Sequence, residues 1–395
     1  MRRLYNVLFA LFIYILFLTP TIACTALAEK SIQKKNKTSF VFYSFWAILI
    51  PCILAAFRAE TVGTDVLVYA KPVYEWARSS NSFAELLALN TRFENGYLFM
   101  AYVSSKLFHS FNAMLFFTQL LIILPIYVSA FKIRNLIPAT SAMLCYYSFF
   151  YVMSFNIMRE GIAVSFLLLA FIYLLDNKWI NAAVIIFIAT LFHSSSLVGA
   201  VLIIFVVVLD RIQKPRVRAL LVAVVVVSIP VFMRYWEIIF RLLLAWNIIP
   251  AKYLFYTRYL KDSYMVGLNR AHFFKMLLRW VGYVATYALL KDNHLFRDDK
   301  IGRCIKSGAL IGIMIFSSVV FILNSGYGYR VSFYLEILLV FWVAGLNSGI
   351  QKIQMSHMPL RSLVMYGMAL SCFLIAYMWR GFHGTLPFAF QIYRY

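Results

Sequence analysis

The stretch Phe155-Asn156-Ile157-Met158-Arg159-Glu160-Gly161-Ile162-Ala163 interrupts an apolar run that starts near residue 136 and continues to residue 175. Each flank is long enough for a membrane helix, since about 20 apolar residues cross the hydrocarbon. An Asn, an Arg and a Glu therefore sit where two such helices join. An ionisable side chain at that depth is costly and marks a functional site by default. The same residues also read as a charged turn that faces water and caps both helices. Further polar clusters on the same side of the membrane favour the functional reading.

The composition around this stretch is that of a membrane protein. Of 395 residues, 63% are hydrophobic and 13% charged, and mean hydropathy is +0.80. A soluble domain is about half apolar and a quarter charged. Apolar runs near 4–28, 39–57, 112–131, 136–155, 160–175, 179–193, 197–209, 218–234, 273–290, 304–323, 331–348 and 362–380 predict an all-α polytopic protein of about twelve transmembrane helices. They form a single transmembrane domain over 1–395, with larger polar loops at 58–111, carrying a short surface or re-entrant helix, and at 235–272. The first run has the form of a secretory signal, with Ala26-Leu27-Ala28 as a cleavage site. It is also long enough to span, and the topology below supports a retained helix.

Net charge is +22. In a soluble chain this would suggest nucleic acid, but no soluble basic domain is present to bind it. Part of the excess is topological, because short cytoplasmic loops collect Lys and Arg. The loops 28–38, 132–135, 176–178, 210–218, 291–303 and 349–361 carry 17 Lys and Arg, against two in 156–159, 193–196 and 324–330. The first set is therefore cytoplasmic; Arg2 and Arg3 depart from the rule. Residues 58–110, Arg159, His193, 235–272 and Arg330 then fall on the exported side. Arginines there, where the rule predicts few, point to an anionic ligand.

Several clusters on that side carry candidate chemistry. Arg58 ends a span and is followed by Gly63-Thr64-Asp65, with Tyr69 one helical turn beyond Asp65. Asp65 also reads as an ordinary helix cap. Glu94-Asn95-Gly96-Tyr97 repeats the pattern, and a carboxylate near cations can take a proton from a sugar hydroxyl. Arg159 opens a helix whose N-terminus already favours an anion, so a bidentate phosphate grip is one reading and an ion pair with Glu60 or Glu94 is the other. His193, before Ser194-Ser195-Ser196, is a structural residue or a base. Tyr253, Phe255, Tyr256, Arg258, Tyr259 and Lys261 interleave aromatics with cations, as a glycan phosphate site or an interfacial helix would. Arg330 and Tyr334 open another span as a second anion grip or a snorkelling arginine.

Motifs for ATP hydrolysis, serine hydrolase, zincin or dinucleotide chemistry are absent from the sequence. Cys24, Cys52, Cys145, Cys304 and Cys372 lie in or at the ends of apolar runs, without metal-ligand spacing or a disulfide framework. Neither cofactor nor metal is called for.

Taken in order, Arg58 with Gly63-Thr64-Asp65 and Tyr69, Glu94 with Gly96-Tyr97, Phe155-Asn156 with Arg159 and Gly161-Ile162-Ala163, Phe192-His193 with Ser195, Arg330 with Tyr334, and Leu386-Pro387-Phe388 resemble the EpsG family of Wzy-type polysaccharide polymerases. Glu160 stands where that pattern has Gln, and Phe388 where it has Tyr. The resemblance implies a GT-C-like glycosyltransferase of the bacterial inner membrane, with its active site facing the periplasm. It would join oligosaccharide repeats carried on undecaprenyl pyrophosphate, for O-antigen, capsule or exopolysaccharide. Partners implied are that lipid-linked oligosaccharide, the bilayer, and a chain-length regulator and flippase of the same pathway. Asp65, Glu94 and His193 are then the catalytic candidates. Arg58, Tyr69, Asn156, Arg159, Arg258, Arg330 and Tyr334 are the pyrophosphate- and sugar-binding ones. The rival readings are a lipid-linked oligosaccharide flippase, disfavoured by the lack of an internal repeat, and an O-antigen ligase.

Overall fold

A computed structural model describes residues 2–89, 93–248, 270–323, 328–348, 358–375 and 388–390. Helix is the local solution that lipid permits, because each backbone N–H and C=O is paired within its own segment. Among the described residues the one extended pairing is an isolated antiparallel bridge between Arg58 and Phe390. The protein is an all-helical polytopic membrane protein. Among the described residues, seven helices are long and apolar enough to cross a membrane, and four shorter apolar helices of 10–17 residues accompany them.

The chain forms two compact units, Met1–Leu197 with Val343–Tyr395, and Val198–Trp342. In the first, α1 (Arg2–Gln33) and α2 (Lys37–Ala56) pack together. Asn36 starts α2 by accepting a hydrogen bond from the Ser39 N–H at 3.0 Å. The polar loop predicted at 58–111 is more helical than its single surface helix suggests. A π-helical turn (Val66–Ala70) runs into α3 (Lys71–Ser79), and α4 (Phe83–Leu89) and α5 (Asn95–Lys106) follow. Then come α6 (Phe111–Lys132), α7 (Ala139–Tyr146), α8 (Met158–Leu175) and α9 (Trp179–Phe192).

The run predicted at 136–155 is not one regular helix. After α7 it continues through a π turn (Tyr147–Tyr151) and a 3-10 turn (Met153–Phe155) before α8 begins. Pro138 precedes α7, and its first N–H groups are satisfied from far along the chain. Glu29, near the end of α1, accepts from Ala139 N–H at 2.9 Å, Thr140 N–H at 3.0 Å and the Thr140 hydroxyl at 2.7 Å. A carboxylate there also meets the positive end of the helix dipole. This contact, with the packing on α2, builds α1 into the bundle.

In the second unit α10 (Ser196–Leu209) leads to α11 (Pro215–Ala245), whose first residue is a proline pre-set for helix. The span predicted at 218–234 thus continues to Ala245 and absorbs the start of the loop predicted at 235–272. Residues 249–269, including Arg258 and the aromatic-cationic stretch around it, lie outside the described residues. The unit continues with α12 (Arg270–Leu290), α13 (His294–Arg297), α14 (Lys300–Leu323) and α15 (Phe333–Glu336). The short α16 (Leu339–Ala344) passes back to the first unit, which also holds α17 (Met358–Cys372).

Candidate functional site

Where α7 gives way to α8 the helical ladder stops, and the break at Phe155-Asn156 receives the loop that follows α2. Gly63 lies against it with φ +96°, and a Cβ there would come within 2.8 Å of the Phe155 carbonyl oxygen. Only glycine meets both demands. Asn156 is buried, and its Oδ1 accepts from the Thr64 hydroxyl at 2.9 Å and the Asp65 N–H at 3.4 Å. Asn156, a candidate ligand contact from the sequence, brackets the Gly63-Thr64-Asp65 turn.

Arg58, read from the sequence as a pyrophosphate- or sugar-binding residue, packs within the chain. It is 1% exposed. Its guanidinium donates to the carbonyls of Val62, at 3.2 Å, and of Ala55, and lies 4.3 Å over the Phe155 ring. Burial lowers its pKa to about 10, still cationic at neutral pH. The Ala59 N–H donates to the Ala389 carbonyl at 2.7 Å, and Phe388 is buried against Tyr14 with ring centroids 5.3 Å apart. Arg58 is a brace between chain segments. Asp65 is half-buried at the entrance of the π turn and makes no capping hydrogen bond, so the simple cap reading does not describe it.

The chemically richest grouping centres on Glu94, just before α5. A Cβ on Gly96 would lie 2.6 Å from the Leu191 carbonyl oxygen, so the missing side chain lets α5 press onto the end of α9. That contact delivers Glu94 to His193. Glu94 Oε2 accepts from Arg159 Nη1 at 2.6 Å. Oε1 lies 3.2 Å from His193 Nδ1 and accepts from the Ser194 N–H at 3.0 Å. Side-chain exposure is 12% for Glu94, 19% for Arg159 and 24% for His193. Burial works to raise the Glu94 pKa. The His193 hydrogen bond, the Arg159 charge and the Ser194 N–H outweigh it, holding the carboxyl down at about 2.

An ionised carboxylate only accepts hydrogen bonds, so His193 Nδ1 donates to it. In the neutral imidazole Nε2 then carries the lone pair, and Nε2 has no hydrogen-bond partner among the described residues. The ion-pair alternative for Arg159 is thus realised with Glu94, whereas Glu60 goes to Lys71 at 2.7 Å. The Arg159 guanidinium also sits among aromatic rings, 4.6 Å from the centroid of Phe93, 5.8 Å from Tyr69 and 6.0 Å from Tyr97. Glu94, Arg159, His193 and Tyr69 are therefore one cluster, with Asp65 four residues before Tyr69. No group of three or more metal-ligating side chains occurs among the described residues.

Arg330 and Tyr334 belong to the second unit, Arg330 half-buried in a 3-10 turn (Gly328–Ser332) and Tyr334 1% exposed in α15. Beside them is an ion pair that the loop-centred reading missed. Glu336 is 0% exposed and accepts from Arg279 of α12 and from the Ser332 hydroxyl. Arg279 lies 4.2 Å over Phe316, and a Cβ on Gly312 would come 2.8 Å from the Glu336 N. The signal was in the sequence, as a lone Arg and a lone Glu inside two apolar runs.

No curated protein and no solved structure matches this chain. A model of the EpsG family matches residues 41–395, which takes in all of the second unit, the first from residue 41 onward, and every candidate site residue named above. The chain belongs to the EpsG family, a family of polysaccharide polymerase-type membrane proteins.

Proposed function

We propose that this protein joins oligosaccharide repeat units carried on undecaprenyl pyrophosphate, at the periplasmic face of the bacterial inner membrane, as a GT-C-like glycosyltransferase. The observation that carries this reading is the Glu94–Arg159–His193 cluster, which sets a guanidinium and a carboxylate-oriented imidazole side by side. In the reaction an acceptor hydroxyl oxygen bonds to the anomeric carbon of the donor. The bond from that carbon to the phosphate oxygen breaks, and undecaprenyl pyrophosphate leaves with the electron pair. The hydroxyl proton passes to a base.

Arg159 supplies charge for the departing pyrophosphate. It is ion-paired with Glu94, so a phosphate would share the guanidinium. Glu94, with its pKa held at about 2, is a poor proton acceptor near neutral pH. The base role fits the Nε2 of His193 better, with Glu94 fixing the ring as a positioning residue; Asp65 is the other candidate. Arg330 is the second unit's candidate anion grip.

The test is complementation of a strain deleted for this gene, with surface glycan length read on a gel. Wild type should restore a ladder from single repeats. Arg159→Ala at normal protein level should not, and Arg159→Lys should restore little, because a point charge lacks the planar fork. A full ladder with Arg159→Ala sinks the assignment. Loss of surface glycan in the deletion strain, single units included, points to a flippase or ligase.

A further inference from the structure

Two rings beside Arg159, those of Phe93 and Tyr69, and the Trp76 ring that meets Phe93 are used by no step above. The Phe93 ring has the Arg159 guanidinium over its face at 4.6 Å, and its centroid lies 6.1 Å from Trp76 and 6.2 Å from Tyr69. Both rings meet Phe93 edge-to-face. Tyr69 and Phe93 are half-buried, and Trp76 is 42% exposed. The aromatic surface thus begins at the cation and runs outward along α3.

We propose that Trp76, Phe93 and Tyr69 form a saccharide platform that takes a pyranose ring of the lipid-linked glycan, next to the phosphate held at Arg159. This inference rests on the reading of Arg159 given above. A pyranose has an apolar C–H face and a rim of hydroxyls. The C–H face suits the negative face of an aromatic ring, and the rim needs polar neighbours. The helix carrying Trp76 provides them. Lys71 pairs with Glu60 at 2.7 Å and Glu75 at 3.7 Å, and Arg78 pairs with Glu75 at 2.7 Å. Arg78 and Glu75 are exposed at 67% and 36%. An acyl chain laid along this helix would strip water from those charges at high cost; a sugar would hydrogen-bond to them. The charge pattern around Trp76 therefore favours a glycan over hydrocarbon.

The experiment uses the purified full-length protein in detergent and, as probe, the oligosaccharide repeat released by mild acid from its carrier lipid. Binding is followed by calorimetry for wild type, Trp76→Phe, Trp76→Leu and Trp76→Ala, each checked for an unchanged melting temperature. Trp76→Ala and Trp76→Leu should each bind about tenfold more weakly, equivalent to about 1.4 kcal/mol. Trp76→Phe should stay within about threefold of wild type, because an aromatic face remains. Leucine binding as well as tryptophan would make Trp76 a membrane-interface or packing residue and overturn the proposal. So would a wild-type protein that does not bind the probe. If the platform fails while Arg159→Ala still abolishes the ladder, the polymerase reading survives without it. If Arg159→Ala leaves the ladder intact, the polymerase reading falls whatever the binding shows.

Discussion

At the scale of single residues, the site depends on two glycines and one carboxylate. Gly96 has Leu191 where its side chain would be, so Gly96→Ala should push α5 off α9 and separate Glu94 from His193. The expected outcome is a folded protein whose polymerising activity falls at least tenfold, read as a shortened glycan ladder at equal protein level. Gly63→Ala adds a left-handed backbone to a 2.8 Å contact and should cost stability as well as activity. For Glu94 the sign of the pH effect follows from its depressed pKa. Its pairing stabilises the fold fully above the ordinary carboxylate range and is lost as pH falls from about 4.5 through about 2. Roughly 3 kcal/mol is involved, so a melting-temperature series over that interval should fall more steeply for wild type than for Glu94→Gln. The catalytic counterpart is positional. Glu94→Gln still accepts the Nδ1 hydrogen of His193 and should keep a partial ladder, whereas Glu94→Leu, which cannot accept it, should lose the ladder. Equal ladders from the two variants would take Glu94 out of the positioning role.

At the scale of elements, charges buried between helices decide which helices stay together. The Glu29 carboxylate is the acceptor for the start of α7, 110 residues later. Glu29→Ala leaves two N–H groups and a hydroxyl without that partner, and should cost about 1–3 kcal/mol. Hydrogen exchange should report it as faster opening at Ala139 and Thr140. In the second unit, Glu336→Ala strands Arg279 among α12, α14 and Phe316, and should cost about 3–5 kcal/mol as an uncompensated buried charge. Replacing both Arg279 and Glu336 with apolar residues should recover much of that loss. A double variant no better than the single ones would show that the pair is needed for more than mutual neutralisation. The helix starts lay closer to the apolar runs than these locks did, because a cap such as Asn36 or the proline opening α11 acts within a few residues.

At the scale of the whole molecule, the sidedness implied by the loops is the claim to test first. Asn95 is exposed beside the Glu94 cluster, and Lys214 is exposed before α11. In a variant freed of its native cysteines, Asn95→Cys should react with a membrane-impermeant maleimide added to intact spheroplasts. Lys214→Cys should react only after lysis. The reverse pattern would place the Glu94–Arg159–His193 cluster in the cytoplasm and remove the periplasmic reading.

The apolar runs by themselves determined that the chain is a helical membrane protein and placed most helix ends within a few residues, because burial in lipid is a local demand that each segment meets alone. They also marked Arg159 and His193, at the ends of apolar runs, and the Glu94-Asn95-Gly96-Tyr97 pattern marked Glu94 in the polar loop. Their roles were another matter. Glu94 meets Arg159 across 65 residues and His193 across 99, and no local period records such a meeting. The same holds for Arg58 and Asn156, polar residues at a membrane boundary whose internal partners lie on other segments of the chain. Whether a polar side chain faces a ligand or another part of its own chain depends on which backbones come close enough to satisfy it. Gly63 and Gly96 fix that closeness, and only the tertiary structure shows what lies in the space they leave.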